Sequence, residues 1–230
     1  MTWHTNPAFI GLRNIVRGLG LTGPLARLRG SRSYEQAFDE ALFSTLQTGD
    51  VVWDVGANVG YYTRRFVEAV GPDGHVVAFE PFPATAERLR AQMRAISNYT
   101  LQVIALGAQA GSVMMQAGAD ELAATSRIVA ASVNGVTVRI STGDCLVEQG
   151  DVPLPTVVKI DTEGFELDVL RGMTYLLSKP EVRAVFVEVH FGLLSERGQP
   201  NAPADIERLL RVAGFATRWV DASHIAAERA

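Results

Sequence analysis

Four short runs are apolar on successive residues rather than on alternate ones: VVWDV at 51–55, VVAFE at 76–80, TVVKI at 156–160 and AVFVEV at 184–189. A strand that faces solvent on one side alternates apolar and polar residues. A strand covered on both faces does not. Segments with helix signals separate the runs, at Tyr61–Val70, Pro83–Ile96 and Phe165–Leu177. Strands separated by helices of about 10–14 residues imply a parallel sheet with right-handed crossovers. The fold class expected is therefore α/β, doubly wound and Rossmann-like. In such sheets the ligand lies beyond the C-terminal strand ends, where the strand order reverses. The residues just after each run are the ones to read for function.

Tyr34–Leu46 places Phe38, Leu42 and Leu46 on one helical face, and Thr48-Gly49-Asp50 stops it. Gly71-Pro72-Asp73-Gly74 is a turn before a second strand at His75–Glu80. A third strand is expected at Leu101–Leu106, and an antiparallel pair at Ser112–Gln116 and Val136–Ser141, a small β insertion. Val182–His190 reads as a strand, Ala204–Ala213 as a helix stopped by Gly214, and Ala216–Val220 as the last strand.

The 230 residues suit one domain, 34–230, with an arm at 1–33. The arm carries Arg13, Arg17, Arg27, Arg29 and Arg32, with no acid before Glu35. A helical arm packed on the domain or on a second subunit explains it, and the second case makes a homodimer. A basic amphipathic segment that touches a membrane surface or an anionic substrate is the alternative. No run reaches the roughly 18–20 apolar residues of a transmembrane helix. Cys145 is the single cysteine, so no intrachain disulfide forms, which fits a cytoplasmic protein. A net charge of −4 weighs against nucleic acid as a partner.

The first candidate site is Asp54-Val-Gly56-Ala-Asn58-Val-Gly60-Tyr61-Tyr62-Thr63. A glycine-rich turn from strand to helix brings backbone N–H groups close to a ligand. A dinucleotide turn would read G-x-G-x-x-G, and here Asn58 takes the middle position, so an NAD(P) site is disfavoured. A tight turn without a ligand would explain the glycines but not Asp54, an acid ending an apolar strand. Glu80 is the second candidate. An acid at the second strand end, about 20 residues past the glycine turn, is placed to bind a ribose diol.

DVGANVGYYT, FEPFP and KIDTEGFELDVLRG together resemble the FkbM family of class I S-adenosylmethionine-dependent methyltransferases, as do EVHFGLL and GFATRWVDASH. The resemblance runs from about Tyr34 to Glu228. It implies a single class I methyltransferase domain with a mostly parallel seven-stranded sheet. It also implies that Asp54, Gly56, Asn58 and Gly60 surround the amino-acid end of S-adenosylmethionine, with Tyr62, Thr63 and Pro81 in the same motifs. Glu80 would bind the ribose. Ala105 and Leu106 would lie near the adenine.

Asp161, in Lys159-Ile-Asp161-Thr-Glu163-Gly164-Phe165-Glu166, ends a strand expected beside the first one and should face the methyl group. Glu163 and Glu166 begin a helix, where acids complement the dipole; for Glu166 that is the favoured reading. Asp161 and Glu163 could also hold a divalent metal such as Mg²⁺. Glu188 and His190 are two apart on a strand and point to one face. A histidine there, beside Asp161, suits a general base with an orienting carboxylate; a hydrogen-bonded structural histidine is the alternative. His190 and Asp161 are thus the candidate catalytic pair, and Glu188, His190 and His224 the candidate substrate contacts.

The activity expected is O-methylation of a hydroxylated small molecule, a sugar or a natural-product intermediate. An N- or carboxyl-methyltransferase, an NAD(P)-dependent oxidoreductase and a non-catalytic cofactor-binding relative are the rivals.

Overall fold

Alternating side chains of the central strands feed two separate cores, which is why the apolar runs are continuous. In β1 (Val51–Val55), Trp53 and Val55 join one core and Val52 the other. In β2 (His75–Phe79), Val77 and Phe79 face the first core while Val76 and Ala78 face the second. β8 (Val157–Ile160) and β9 (Ala184–Glu188) divide in the same way. The computed structural model describes residues 31–116, 127–128 and 135–229. Apart from 31–33, the expected arm lies outside the described residues, as does most of the link between the insertion strands.

One sheet has seven strands in the order β10-β11-β9-β8-β1-β2-β3, with β3 at Tyr99–Gln102, β10 at Ala216–Trp219 and β11 at His224–Glu228. Only β11 runs antiparallel to its neighbours. The chain moves outward from β1 through β2 to β3, then returns to place β8 on the other side of β1. That reversal opens a crevice above the C-terminal ends of β1, β2 and β8.

The connecting helices are set by their ends. α1 spans Ser31–Thr45, and α2 spans Tyr61–Val70 between the left-handed Gly60 and Gly71. α3 (Pro83–Met93) starts on Pro83, whose missing N–H costs nothing there. Thr142 caps α4 (Gly143–Glu148) by accepting the Cys145 N–H at 3.0 Å. α5 (Glu166–Arg171), α6 (Phe191–Glu196) and α7 (Ala202–Val212) follow, and Gly214, at φ 94°, turns the chain after α7.

The short helices α4 and α6 were not expected from the sequence, and three further elements differ from expectation. The third strand is two: β3 pairs with β2, while β4 (Ala105–Leu106) leaves the sheet after Ile104 enters the core and pairs with β7 (Val136–Ser141). The second sheet is β4-β7-β5-β6, with β5 at Gly111–Gln116 and β6 at Arg127–Ile128. It contains the expected antiparallel pair. The helix expected to reach Leu177 stops at Arg171. Gly172 lies so close to the Gly107 carbonyl that a Cβ would be 2.0 Å from its oxygen, and a 3-10 turn at Leu176–Ser178 follows. Finally, β11 follows the expected last strand and inserts between β9 and β10. Its Ala226 and Ala227 carry little strand propensity, so burial between two neighbours defines it.

Candidate active site

The strand ends line an open cleft, about 750 Å³ with the adjoining solvent space included. One half is apolar: Phe79, Ile104, Ala105, Leu106, Met115 and Phe165. The other half carries Asn58, Glu80, Asp161, Thr162 and Glu163, with Gly56 and Pro81 completing the wall. Met115 comes from the β insertion, a contribution that its distance in sequence from the strand ends conceals.

Glu80 is buried, with both oxygens held by the backbone. Oε2 accepts the Asn58 N–H at 3.0 Å and Oε1 accepts the Phe82 N–H at 2.9 Å. Burial pushes its pKa up to about 7, against these two bonds, which favour the charged form. The remaining lone pairs face the cleft, where two hydroxyls of a diol would restore stability to the charge. Asn58 sits at φ 50°, and its Oδ1 is buried without a hydrogen-bond partner among the described residues. Thr162 Oγ1 is in the same condition. Both residues line the cleft, and unpartnered polar atoms beside it suit a polar ligand.

Gly56 and Gly60 are explained first by the chain itself. A Cβ on Gly56 would sit 1.8 Å from the Asp161 carbonyl oxygen, and one on Gly60 would sit 2.3 Å from Leu89 Cδ1. Asp54 does not line the cleft. It is fully buried, accepts the Thr63 hydroxyl at 2.6 Å, and lies 3.5 Å from Lys159 Nζ. Thr63 is thus a brace for Asp54. Tyr62 places its ring 4.7 Å from Lys159 Nζ and donates its hydroxyl to Asp39 of α1.

Lys159 has no role in the sequence reading, yet it bridges the two strand ends, with Nζ 3.2 Å from Asp161 Oδ2. Burial works against its charge, but Asp161 and Asp54 outweigh burial and hold its pKa above the ordinary value. Its apolar flanks, Val158 and Ile160, make the position look like plain core.

Asp161, Glu163 and His190 come together beside the cleft. His190 Nε2 is 3.4 Å from Glu163 Oε2, 3.8 Å from Asp161 Oδ1 and 3.8 Å from Glu188 Oε1. On the other edge of the ring, Nδ1 is 2.8 Å from Glu166 Oε1. Burial disfavours the imidazolium, but the Glu166 bond and the surrounding carboxylates outweigh it and push the pKa up to about 10. Burial raises the Glu163 pKa against the pull of His190.

Glu166 departs from the dipole reading. It is fully buried, and Oε1 also accepts the Gly164 N–H at 2.7 Å, so it orients His190 from within. His224 lies opposite Glu188 in the β9–β11 register. It approaches Glu188 to 3.5 Å, bonds Asp221 at 2.8 Å and stacks on Phe38 of α1 at 4.1 Å. Its pKa, opposed by burial, is pushed up to about 9 by the bonds to Asp221 and Glu188.

The methyltransferase FkbM domain matches residues 54–216, from Asp54 of the first motif into β10. The chain belongs to the FkbM methyltransferase family. Hexuronic acid methyltransferase AglP of Haloferax volcanii is 34% identical over 192 residues, which cover 83% of this chain and 73% of that protein. A protein-L-isoaspartate O-methyltransferase of Ignicoccus hospitalis is 39% identical over 59 residues, 26% of this chain and 28% of that enzyme.

Among solved structures, methyltransferase FkbM from Methylobacillus flagellatus superimposes with a TM-score of 0.58 at 14% identity. The match covers 83% of this chain and 47% of that one, so the chain spans about half its length. Fibrillarin from Aeropyrum pernix, with natively bound S-adenosyl-L-methionine, superimposes at 0.51 with 13% identity over 83% of this chain and 74% of that one. The fold is the Rossmann-like methyltransferase fold, and the chain is an S-adenosylmethionine-dependent methyltransferase. Among the described residues, no helix is long and apolar enough to cross a membrane.

Proposed function

We propose that this methyltransferase transfers the methyl group to a hydroxyl oxygen of a sugar or a comparably hydroxylated small molecule. The observation that carries the proposal is the polar asymmetry of the cleft. Phe79, Ile104, Ala105, Leu106 and Met115 give the cleft an apolar wall, Asn58, Glu80, Asp161 and Glu163 give it a polar one, and His190 joins Asp161 and Glu163 beside it. Bound S-adenosylmethionine would supply the electrophilic methyl group. Glu80 would receive the ribose hydroxyls, the Ala105–Leu106 side would take the adenine, and Asn58 Oδ1 and Thr162 Oγ1 would gain the polar partners they lack.

An acceptor hydroxyl has a high pKa and needs help to lose its proton. His190 is poorly suited to take that proton, because its own pKa is pushed up to about 10 and it already carries one. Asp161 takes the base role in this reading, with Lys159 fixing one of its oxygens and leaving the other toward His190. The kinship with a hexuronic acid methyltransferase supports a sugar acceptor. Methylation of a carboxylate is the second reading that kinship allows, and a carboxylate needs no base. The negative charge around His190 favours a neutral hydroxyl over a free carboxylate.

A small-molecule partner rather than nucleic acid, a cytoplasmic location, and a homodimer made through the 1–33 arm belong to the same proposal. They are supported by the net charge, the single cysteine and the arm's apolar and arginine content.

The test is incubation with S-adenosylmethionine and a panel of hexuronic acids and neutral hexoses, followed by mass spectrometry before and after mild alkali. Alkali-stable methylation confirms an ether. Alkali-labile product moves the reading to a methyl ester, and turnover on no sugar in the panel removes the sugar class.

A further inference from the structure

Three carboxylates surround one nitrogen of His190. The nearest oxygens of Asp161, Glu163 and Glu188 lie 3.4–3.8 Å from His190 Nε2. The ligand atoms of Asp161, Glu163 and His190 all lie within 4.8 Å of each other. A single ion with bonds of about 2.0–2.6 Å spans such a spread. All three side chains remain part-exposed beside the cleft, so the cluster can be reached.

The histidine is also aimed. Glu166 binds Nδ1 at 2.8 Å and is itself fully buried and fixed by the Gly164 N–H. A carboxylate on the far nitrogen is the arrangement that sets the tautomer and direction of a metal-binding histidine. The second Glu166 oxygen is buried with no hydrogen-bond partner among the described residues. The neighbouring cations are committed elsewhere: Lys159 serves Asp54 and Asp161 Oδ2, and His224 serves Glu188 Oε2 and Asp221.

We propose that Asp161, Glu163 and His190 Nε2 bind one divalent cation at the edge of the cleft, the ion displacing to solvent the proton that Nε2 carries in its absence, with Glu188 in reach as a fourth ligand. Three carboxylates and one imidazole form a mixed, oxygen-rich set that suits Mn²⁺ or Mg²⁺ better than a thiophilic ion. The function of the ion rests on the methyltransferase reading above. Its open positions would take the acceptor hydroxyl and an adjacent acceptor oxygen, so acceptors that chelate through two oxygens are selected. The ion would also lower the hydroxyl pKa, so that with the ion bound Asp161 acts as a ligand rather than as the base.

The experiment titrates the full, chelator-treated chain with Mn²⁺, following the signal of free Mn²⁺ by electron paramagnetic resonance. S-adenosylhomocysteine binding is measured separately by calorimetry. One equivalent of Mn²⁺ should bind, and Glu163→Gln and His190→Gln should each weaken it at least tenfold. Glu166→Gln should weaken it by about 10–100-fold through loss of the orienting carboxylate. His190→Gln should bind S-adenosylhomocysteine within threefold of the unsubstituted chain, which shows that the cleft is intact. No Mn²⁺ binding at millimolar concentration, or equal binding in all variants, overturns the cation site. S-adenosylhomocysteine binding without Mn²⁺ binding overturns the cation site alone. Mn²⁺ binding without S-adenosylhomocysteine binding overturns the methyl-transfer role given to the ion.

Discussion

Glu80→Gln separates the charge of the cleft's rim from its shape. In the free protein, burial holds the Glu80 pKa at about 7, against 4.5 for an ordinary glutamate. At pH 8 the ionised side chain therefore carries a penalty of roughly 3 kcal/mol relative to water. Hydroxyls of a ribose diol would donate to this carboxylate, and each charge-assisted bond would contribute about 1.5–3 kcal/mol. The amide keeps the shape but replaces one acceptor by a donor, so about 2–4 kcal/mol of binding is lost, or roughly 30- to 1000-fold in Kd. The same change removes the ionisation penalty, so the free variant should melt within a few degrees of the unsubstituted chain.

A pH series gives an independent reading. A diol that donates to the charged carboxylate lowers its pKa on binding, so the ligand releases a proton as it binds and affinity rises with pH. With a starting pKa of about 7, S-adenosylhomocysteine affinity should fall about tenfold from pH 8 to pH 6. In Glu80→Gln the same range should be flat. Calorimetry in buffers of different ionisation enthalpy measures both affinity and proton release. A variant that binds within threefold of the unsubstituted chain, or that keeps the same pH slope, would refute the assignment of Glu80 to the ribose.

Gly56→Ala should cost about 3–5 kcal/mol, because its Cβ meets the Asp161 carbonyl at 1.8 Å in a backbone of φ 84°. Gly150→Ala, at φ 74° with open space around it, should cost only about 1 kcal/mol. Equal denaturation midpoints for the two would contradict the close-packing account. Asp50→Asn breaks the cluster with Arg183 and Thr156 at the opposite strand ends from the cleft, and should cost about 2–4 kcal/mol with no change in S-adenosylhomocysteine affinity. A loss of affinity beyond threefold would show that the two ends are coupled. His224 has a folded pKa of about 9, above its unfolded value, so its contribution to stability is fully present below about pH 6.5 and is lost as pH rises through 9. Thermal melts from pH 7 to 9 should fall more steeply for the unsubstituted chain than for His224→Gln; parallel curves would exclude the Asp221–His224–Glu188 bonds as the source.

What could be read from the sequence and what could not divide along a physical line. Doubly buried strands and breaker-rich turns are local properties, so β1, β2, β8 and the helices α2 and α3 were visible in the order of residues. Glu80 and Asp161 were visible because a carboxylate is conspicuous at the end of an apolar run. The residues missed depend on which strands become neighbours. Lys159 resembles core in its own strand and acquires meaning only when β8 lies beside β1 and brings Asp54 within 3.5 Å. Glu166 resembles a helix-start acid until β9 carries His190 onto it. β11, with two alanines, has no local signal at all, yet its register sets His224 against Glu188. The Asn58–Glu80 wall of the cleft follows from strand-end chemistry within one motif at a time, whereas the cluster around His190 is assembled from three strands and the start of a helix. Acceptor chemistry is consequently the part of this enzyme that geometry must decide, and the balance of charge around His190 is where it does so.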